Sequence, residues 1–199
     1  MDDAKLTKET IIAEAIALLN EDGLDGVSLR KLGARLGVKA PSLYWHFEDK
    51  SALMSAVMER VFNECLDAVP HHTDWQEWMR AFGSALWWRQ NTVRDLGRLI
   101  TTTNVDGPQL ARTRARIRGK IRDIDLPEED AMRLQSTIQA LITGWSAFAH
   151  APYAKALGKS LPFDTMVMHD LEIILAGQAL KMKAPKKPKT LKKRKTSRS

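Results

Sequence analysis

The sequence predicts an all-α fold, and three observations lead there. Apolar residues recur three and four positions apart in almost every segment. Alternating apolar and polar residues are nearly absent; only RTRARIR alternates, and Ile117, Ile121 and Ile124 carry that stretch on at helical spacing. Proline and glycine fall mostly between the periodic segments, at Gly107-Pro108, Pro127, Pro152, Gly158 and Pro162.

The first helix begins after Thr7, a hydroxyl able to cap it, with Leu6 and Ile11 placed as a hydrophobic staple. Ile11, Ile12, Ala15, Ile16, Leu18 and Leu19 form its apolar side, and Gly23 ends it. Ser28 caps a second, short helix in which Val27 staples to Leu32, while Leu29, Leu32 and Leu36 line one face before Gly37. Gly33 inside so short a helix costs on the order of 1 kcal/mol relative to alanine, so it implies close approach by another segment. Pro41 suits the first turn of a third helix, where its missing N–H would be unpaired in any case. Leu43 and Phe47 then face inward with Leu36 and Val38, leaving Ser42, Tyr44, Trp45 and His46 wholly or partly outward.

Asp49 caps a fourth helix running to about Leu66, with Leu53, Val57, Val61 and Phe62 as its stripe. Further helices are expected over 74–90, 93–102, 109–124, 127–150 and 163–182. The chain divides on this reading into residues 1–66, residues 67–182 and a terminal segment, 183–199. That last segment is low in complexity and expected to be disordered when free.

Charge is unevenly placed. The net charge is +7, yet ten lysines and arginines and no acid lie between Lys181 and Ser199, which leaves 21 basic against 24 acidic residues before them. A nucleic-acid role for the folded part must therefore rest on a local cluster: Arg30, Lys31, Arg35 and Lys39, with no acid from Val27 until Glu48. Hydrophobic residues make up 44% of the chain, enough for a core; the single cysteine, Cys65, has no internal disulfide partner. No apolar run approaches the roughly 20 residues that span a bilayer, and the first residues lack a signal-peptide pattern, so a soluble, cytoplasmic protein without a membrane partner is expected.

Two short helices joined at a glycine, the second presenting small, polar and aromatic side chains, form the pattern of a helix-turn-helix. Ala40, Pro41 and Ser42 are short enough for the backbone to enter a major groove. Arg30, Tyr44, His46 and Lys50 carry donors for phosphates, which fix register, while Lys39, Ser42 and Arg30 are candidates to read bases.

The stretch GLDGVSLRKLGARLGVKAPSLYWHFEDKSAL resembles the DNA-binding domain of the tetracycline-repressor (TetR) family of bacterial transcription regulators, above all in Leu36-Gly37-Val38, Leu43 to Phe47, and Lys50 with Leu53. The resemblance implies an all-α homodimer with an N-terminal three-helix domain and a C-terminal domain that binds a small molecule and so releases a palindromic double-stranded DNA operator. It also implies that Ser28, Leu29, Arg30, Ala40, Pro41, Ser42, Tyr44, Trp45, His46 and Lys50 face DNA. For Trp45, packing against the first helix is the competing expectation. DWQEWMRAFGSALWW resembles the family's following helix more faintly. Tetracycline-binding members hold a magnesium complex with a histidine and an asparagine; Ile100 and Phe82 stand in those places here, so a metal-free, largely apolar effector and no cofactor are expected.

Trp75, Trp78, Met79, Phe82 and Leu86 form one helical stripe, most of it core. Its deeper members Phe82 and Leu86, with Leu99, Ile100, Thr103, Trp145 and Phe148, are the candidate pocket residues. Arg116 is the candidate to meet an anionic effector or to pair with acids across the dimer, from a basic helix whose default is a solvated face. Histidines 71, 72, 150 and 169 lack companions at metal-ligand spacing, and no metal site is expected. Met132, Ile138, Leu141, Ile142, Trp145 and Phe148 on one helix, with Met168, Leu171, Ile174, Leu175 and Leu180 on another, are expected to form the dimer face.

The ten terminal charges are expected to act as an auxiliary tether to DNA. A tail-driven, non-specific architectural nucleic-acid binder is the alternative. An enzyme is not expected, since no glycine-rich phosphate loop, nucleophile elbow or metal-spaced cluster occurs.

Overall fold

The computed structural model describes residues 6–71, 73–157 and 162–183, and these are helical with no strand among them. His72, Gly158 and the basic tail beyond Lys183 lie outside the described residues. The helices are α1 (Lys8–Gly26), α2 (Leu29–Arg35), α3 (Ala40–Tyr44), α4 (Lys50–Ala68), α5 (Trp75–Thr92), α6 (Leu96–Thr102), α7 (Gly107–Lys120), α8 (Glu128–Ala149), α9 (Ala154–Leu157) and α10 (Phe163–Lys183).

Caps define most of the starts. Thr7 and Thr10 form a reciprocal capping box on α1. Ser28 accepts from the Lys31 N–H at 3.2 Å, Asp49 from Ala52 at 2.7 Å, Asp74 from Glu77 at 2.9 Å and Asp106 from Gln109 at 2.6 Å. The expected start of α6 at Val93 is three residues early. Asp95 there is left-handed (φ 56°), which separates the end of α5 from the first turn of α6. Helix α7 runs from Gly107 to Lys120 rather than over 109–124, because Asp106 caps it early and Ile121 leaves helical geometry.

Two buried clusters result. One gathers Ile11, Leu18, Leu32, Leu43, Phe47, Leu53 and Val57 around the first four helices, and also takes Val93, Leu96 and Leu99. The other holds Cys65, Leu66, Trp78, Phe82, Ile138, Ile142, Leu171 and Leu175 from α4, α5, α8 and α10. Helix α4 contributes to both: Leu53 and Val57 to the first, Cys65 and Leu66 to the second. One rigid rod therefore crosses the molecule.

The α2–α3 turn depends on two glycines. Gly37 has φ 68°, a conformation that costs an L-residue about 1–2 kcal/mol, and a Cβ on Gly33 would lie 3.0 Å from the Val38 carbonyl oxygen. Gly37→Val is expected to lower stability by about 1–2 kcal/mol. Gly119→Ala, in α7 where a Cβ meets nothing within 4 Å, should raise it by up to about 1 kcal/mol. Urea midpoints of the two variants check both signs.

Candidate nucleic-acid interface and ligand cavity

Leu43 and Phe47 anchor α3 from beneath, as their four-residue spacing requires, and Leu32 holds α2 against them. What remains outward is a polar and aromatic ridge. Arg30, Lys39, Pro41, Tyr44 and Trp45 are exposed, and Ala40, Ser42 and His46 are half-buried. Trp45 is 90% exposed, so packing against α1 does not occur; an indole that leaves water only by meeting another molecule crowns the end of α3.

Two residues are placed differently from the sequence expectation. Leu29 is buried, because it shares the inner face of α2 with Leu32, and its side chain does not face outward. The Lys50 ammonium donates to the Leu24 carbonyl at 2.8 Å, tying α4 to the end of α1. Ser28 is exposed and its hydroxyl caps α2, as its position predicts.

The basic cluster also separates into two kinds. Arg35 donates to Glu14 and Glu21 of α1, and this hydrogen bond holds the Glu21 carboxyl below its ordinary range. Lys31 pairs with Asp22 at 2.6 Å. Among the described residues Arg30 and Lys39 have no acidic partner; Arg30 lies in the first turn of α2 and Lys39 directly precedes α3.

Behind this unit lies a cavity of about 890 Å³. Its wall includes Met58, Val61, Phe62 and Cys65 of α4, Leu86 and Gln90 of α5, Leu96 and Ile100 of α6, Leu110 and Ile117 of α7, and Met132 and Gln135 of α8. Burial pushes the Cys65 thiol up to about 11, so it is a neutral, slowly reacting part of that wall. No group of three or more metal-ligating side chains occurs among the described residues.

Of the candidate pocket residues, Leu86 and Ile100 line this cavity and the other six do not. Phe82 is wholly occluded, stacked on Trp78 with ring centres 5.3 Å apart and edge-on to Phe62 at 6.2 Å. Leu99 is buried in the first cluster, while its neighbour Ile100 packs against that cluster and also lines the cavity. Thr103 only caps the end of α6. Arg116 lies outside, paired with Asp67 at 2.5 Å, because α7 turns Arg114 and Arg118 towards the cavity instead. Trp145 and Phe148 sit on the outer side of α8 with Phe163 and Tyr153, bordering a shallow depression with Ala140, Leu141 and Gly144. The α4 and α7 residues of the cavity were missed because the first two thirds of α4 were read as core stripe and α7 as solvated; the spacing of Leu110, Thr113, Arg114 and Ile117 was the available signal.

A joint connects cavity to ridge. Asp95 accepts from the Leu24 N–H at 2.8 Å; Arg94 donates to the Glu21 carbonyl at 2.7 Å; its own N–H donates to Asn20 at 3.0 Å. Arg98 forms a two-point pair with Asp25 at 2.8 and 2.9 Å. Helix α6, which walls the cavity through Leu96 and Ile100, is thereby fastened to the end of α1.

Comparison with known proteins fits this layout. Residues 11–57 match the model for bacterial regulatory proteins of the tetR family. The chain is 40% identical over 118 residues to the Escherichia coli tetracycline repressor protein class A from transposon 1721, covering 57% of this chain and 54% of that protein. It is 35% identical over 118 residues to the E. coli class C repressor, covering 57% and 53%. The chain thus spans about half the length of these curated relatives. A TetR variant from Acinetobacter baumannii AYE, crystallised with minocycline, superimposes with a TM-score of 0.69 at 25% identity, covering 91% of this chain and 100% of that one.

Proposed function

We propose that this chain is a member of the tetR family of bacterial regulatory proteins and acts as a dimeric transcriptional repressor that a small molecule releases from a palindromic DNA operator. The observation that carries the reading is the shared helix. α4 supports the α2–α3 unit at its first half and walls the cavity at Met58, Val61 and Phe62. A molecule in the cavity touches both α4 and α6, and the Lys50–Leu24 and Asp95–Leu24 hydrogen bonds would pass any shift of these helices to α1.

Arg30 and Lys39 supply phosphate contacts in this reading, and Ala40, Pro41 and Ser42 let α3 approach base edges. Tyr44 and Trp45 cover the adjoining backbone. Dimerisation uses the outer face of α8 and α10, where Leu141, Trp145 and Phe148 lie beside small Ala140 and Gly144, and where Ile173 and Leu180 are 57% and 69% exposed. Ile138, Ile142, Leu171 and Leu175, also expected at that face, are instead buried within the monomer. A two-fold dimer would set its α3 helices about 34–36 Å apart, or a multiple of that, to meet successive major grooves. Effector and operator would then weaken each other's binding by the same factor.

Selection of DNA from a random pool by the full chain at physiological salt tests the reading. One palindrome with half-sites a whole number of helical turns apart is the expected result. Recovery of no preferred sequence would overturn it in favour of a non-specific architectural role.

A further inference from the structure

The cavity wall distributes its polar groups unevenly, and what it leaves unpaired describes what it would hold. Gln90 is 2% exposed and sits on the inner wall. Its Nε2 donates to the Thr143 hydroxyl at 3.1 Å, but its Oε1 is buried with no hydrogen-bond partner. An orphaned buried acceptor of this kind carries a desolvation penalty that a donor brought in from outside removes. The neighbouring amides are occupied. Gln109 donates to the Ser55 carbonyl at 3.0 Å and accepts from its hydroxyl, and Gln135 donates to Gln139 at 3.1 Å.

At the rim the acids in the wall are each already neutralised. Glu59 pairs with Arg112 at 3.2 Å, Glu128 with Arg118 at 2.8 Å and Glu129 with Arg133 at 2.7 Å. Arg114 lines the same cavity, is exposed, and has no acidic partner among the described residues. Between rim and floor the surface is apolar: Met58, Val61, Phe62, Leu96, Ile100 and Ile117.

We propose that the effector is an amphiphilic anion, with an apolar body held between α4, α6 and α7, a hydroxyl or N–H donor reaching Gln90 at the floor, and a carboxylate or similar anion facing Arg114 at the rim. This rests on the effector role proposed above for the cavity and adds the chemical class. A cation is disfavoured because no wall carboxylate is left to receive it, and a hydrocarbon without a donor leaves Gln90 as it stands.

The test uses the full chain and displacement of the fluorescent probe 1-anilinonaphthalene-8-sulfonate by three matched molecules: 12-hydroxydodecanoate, dodecanoate, and the methyl ester of the hydroxy acid. The hydroxy acid should displace the probe at about tenfold lower concentration than dodecanoate, as one relieved buried acceptor implies. It should do so at about threefold lower concentration than the ester, since an exposed cation contributes less. Gln90→Leu should erase the hydroxyl preference and keep the charge preference; Arg114→Gln should do the reverse. Thr143→Val removes the Gln90–Thr143 hydrogen bond but keeps Gln90, so it should keep the hydroxyl preference, which separates recognition from disturbed α5–α8 packing. Displacement without either preference overturns this inference and leaves the effector role standing. Failure of the protein to bind any of the four molecules overturns the proposed class and the effector role together, while operator selection reports on DNA recognition independently.

Discussion

Phe82→Ala is expected to destabilise the fold by about 3–5 kcal/mol, the range for removing a buried phenyl ring from a core that cannot close around the gap. Phe82 is fully buried, stacked on Trp78 and edge-on to Phe62, and α8 and α10 press on the same cluster through Ile138 and Leu171. None of these helices can settle inward without breaking its own contacts elsewhere. Chemical denaturation measures the effect as a shift of midpoint at unchanged slope. A loss under 1 kcal/mol would mean that the ring sits in a looser, ligand-accessible setting, as the sequence alone had suggested.

Gly144→Arg should leave the monomer folded and remove operator binding. A Cβ at Gly144 meets nothing within 4 Å, and the residue borders the depression formed with Ala140, Leu141, Trp145 and Phe148. An arginine there places a charge in the centre of the proposed dimer face, where no acid of α8 lies nearby in sequence to receive it. Sedimentation should report a monomer. Affinity for a palindromic site should fall by about 100-fold or more, because two linked half-site contacts become independent. A variant that stays dimeric and binds its operator normally would place the dimer face elsewhere.

The N-terminal unit was legible in the sequence because its signals are local. Thr7, Ser28 and Asp49 each cap the helix they were expected to cap, and Leu43 and Phe47 face inward as their spacing required. The cavity was less legible because its wall is assembled from five helices whose relative rotation no single periodicity fixes. One residue decides each assignment: Leu99 and Ile100 are adjacent, yet Leu99 is buried in the first cluster while Ile100, packed against that cluster, also lines the cavity. Arg114 and Arg116 are two apart and face different neighbours. Long-range close approach was hidden for the same reason. Gly83 stands in a tryptophan-rich run that reads as ordinary core, but a Cβ there would lie 2.7 Å from Leu171 Cδ2, so its smallness admits α10. The left-handed turn at Asp95, which sets where α6 begins, has no glycine to announce it.

Cys65 has a practical consequence. It is the chain's single cysteine, and it lies in the cavity wall with its thiol neutral and buried. The rate at which a small thiol reagent modifies the unaltered protein is therefore an occupancy gauge for the cavity, supplied by the chain itself. Each candidate compound can be ranked by the protection it gives that one sulfur, before any operator sequence is known.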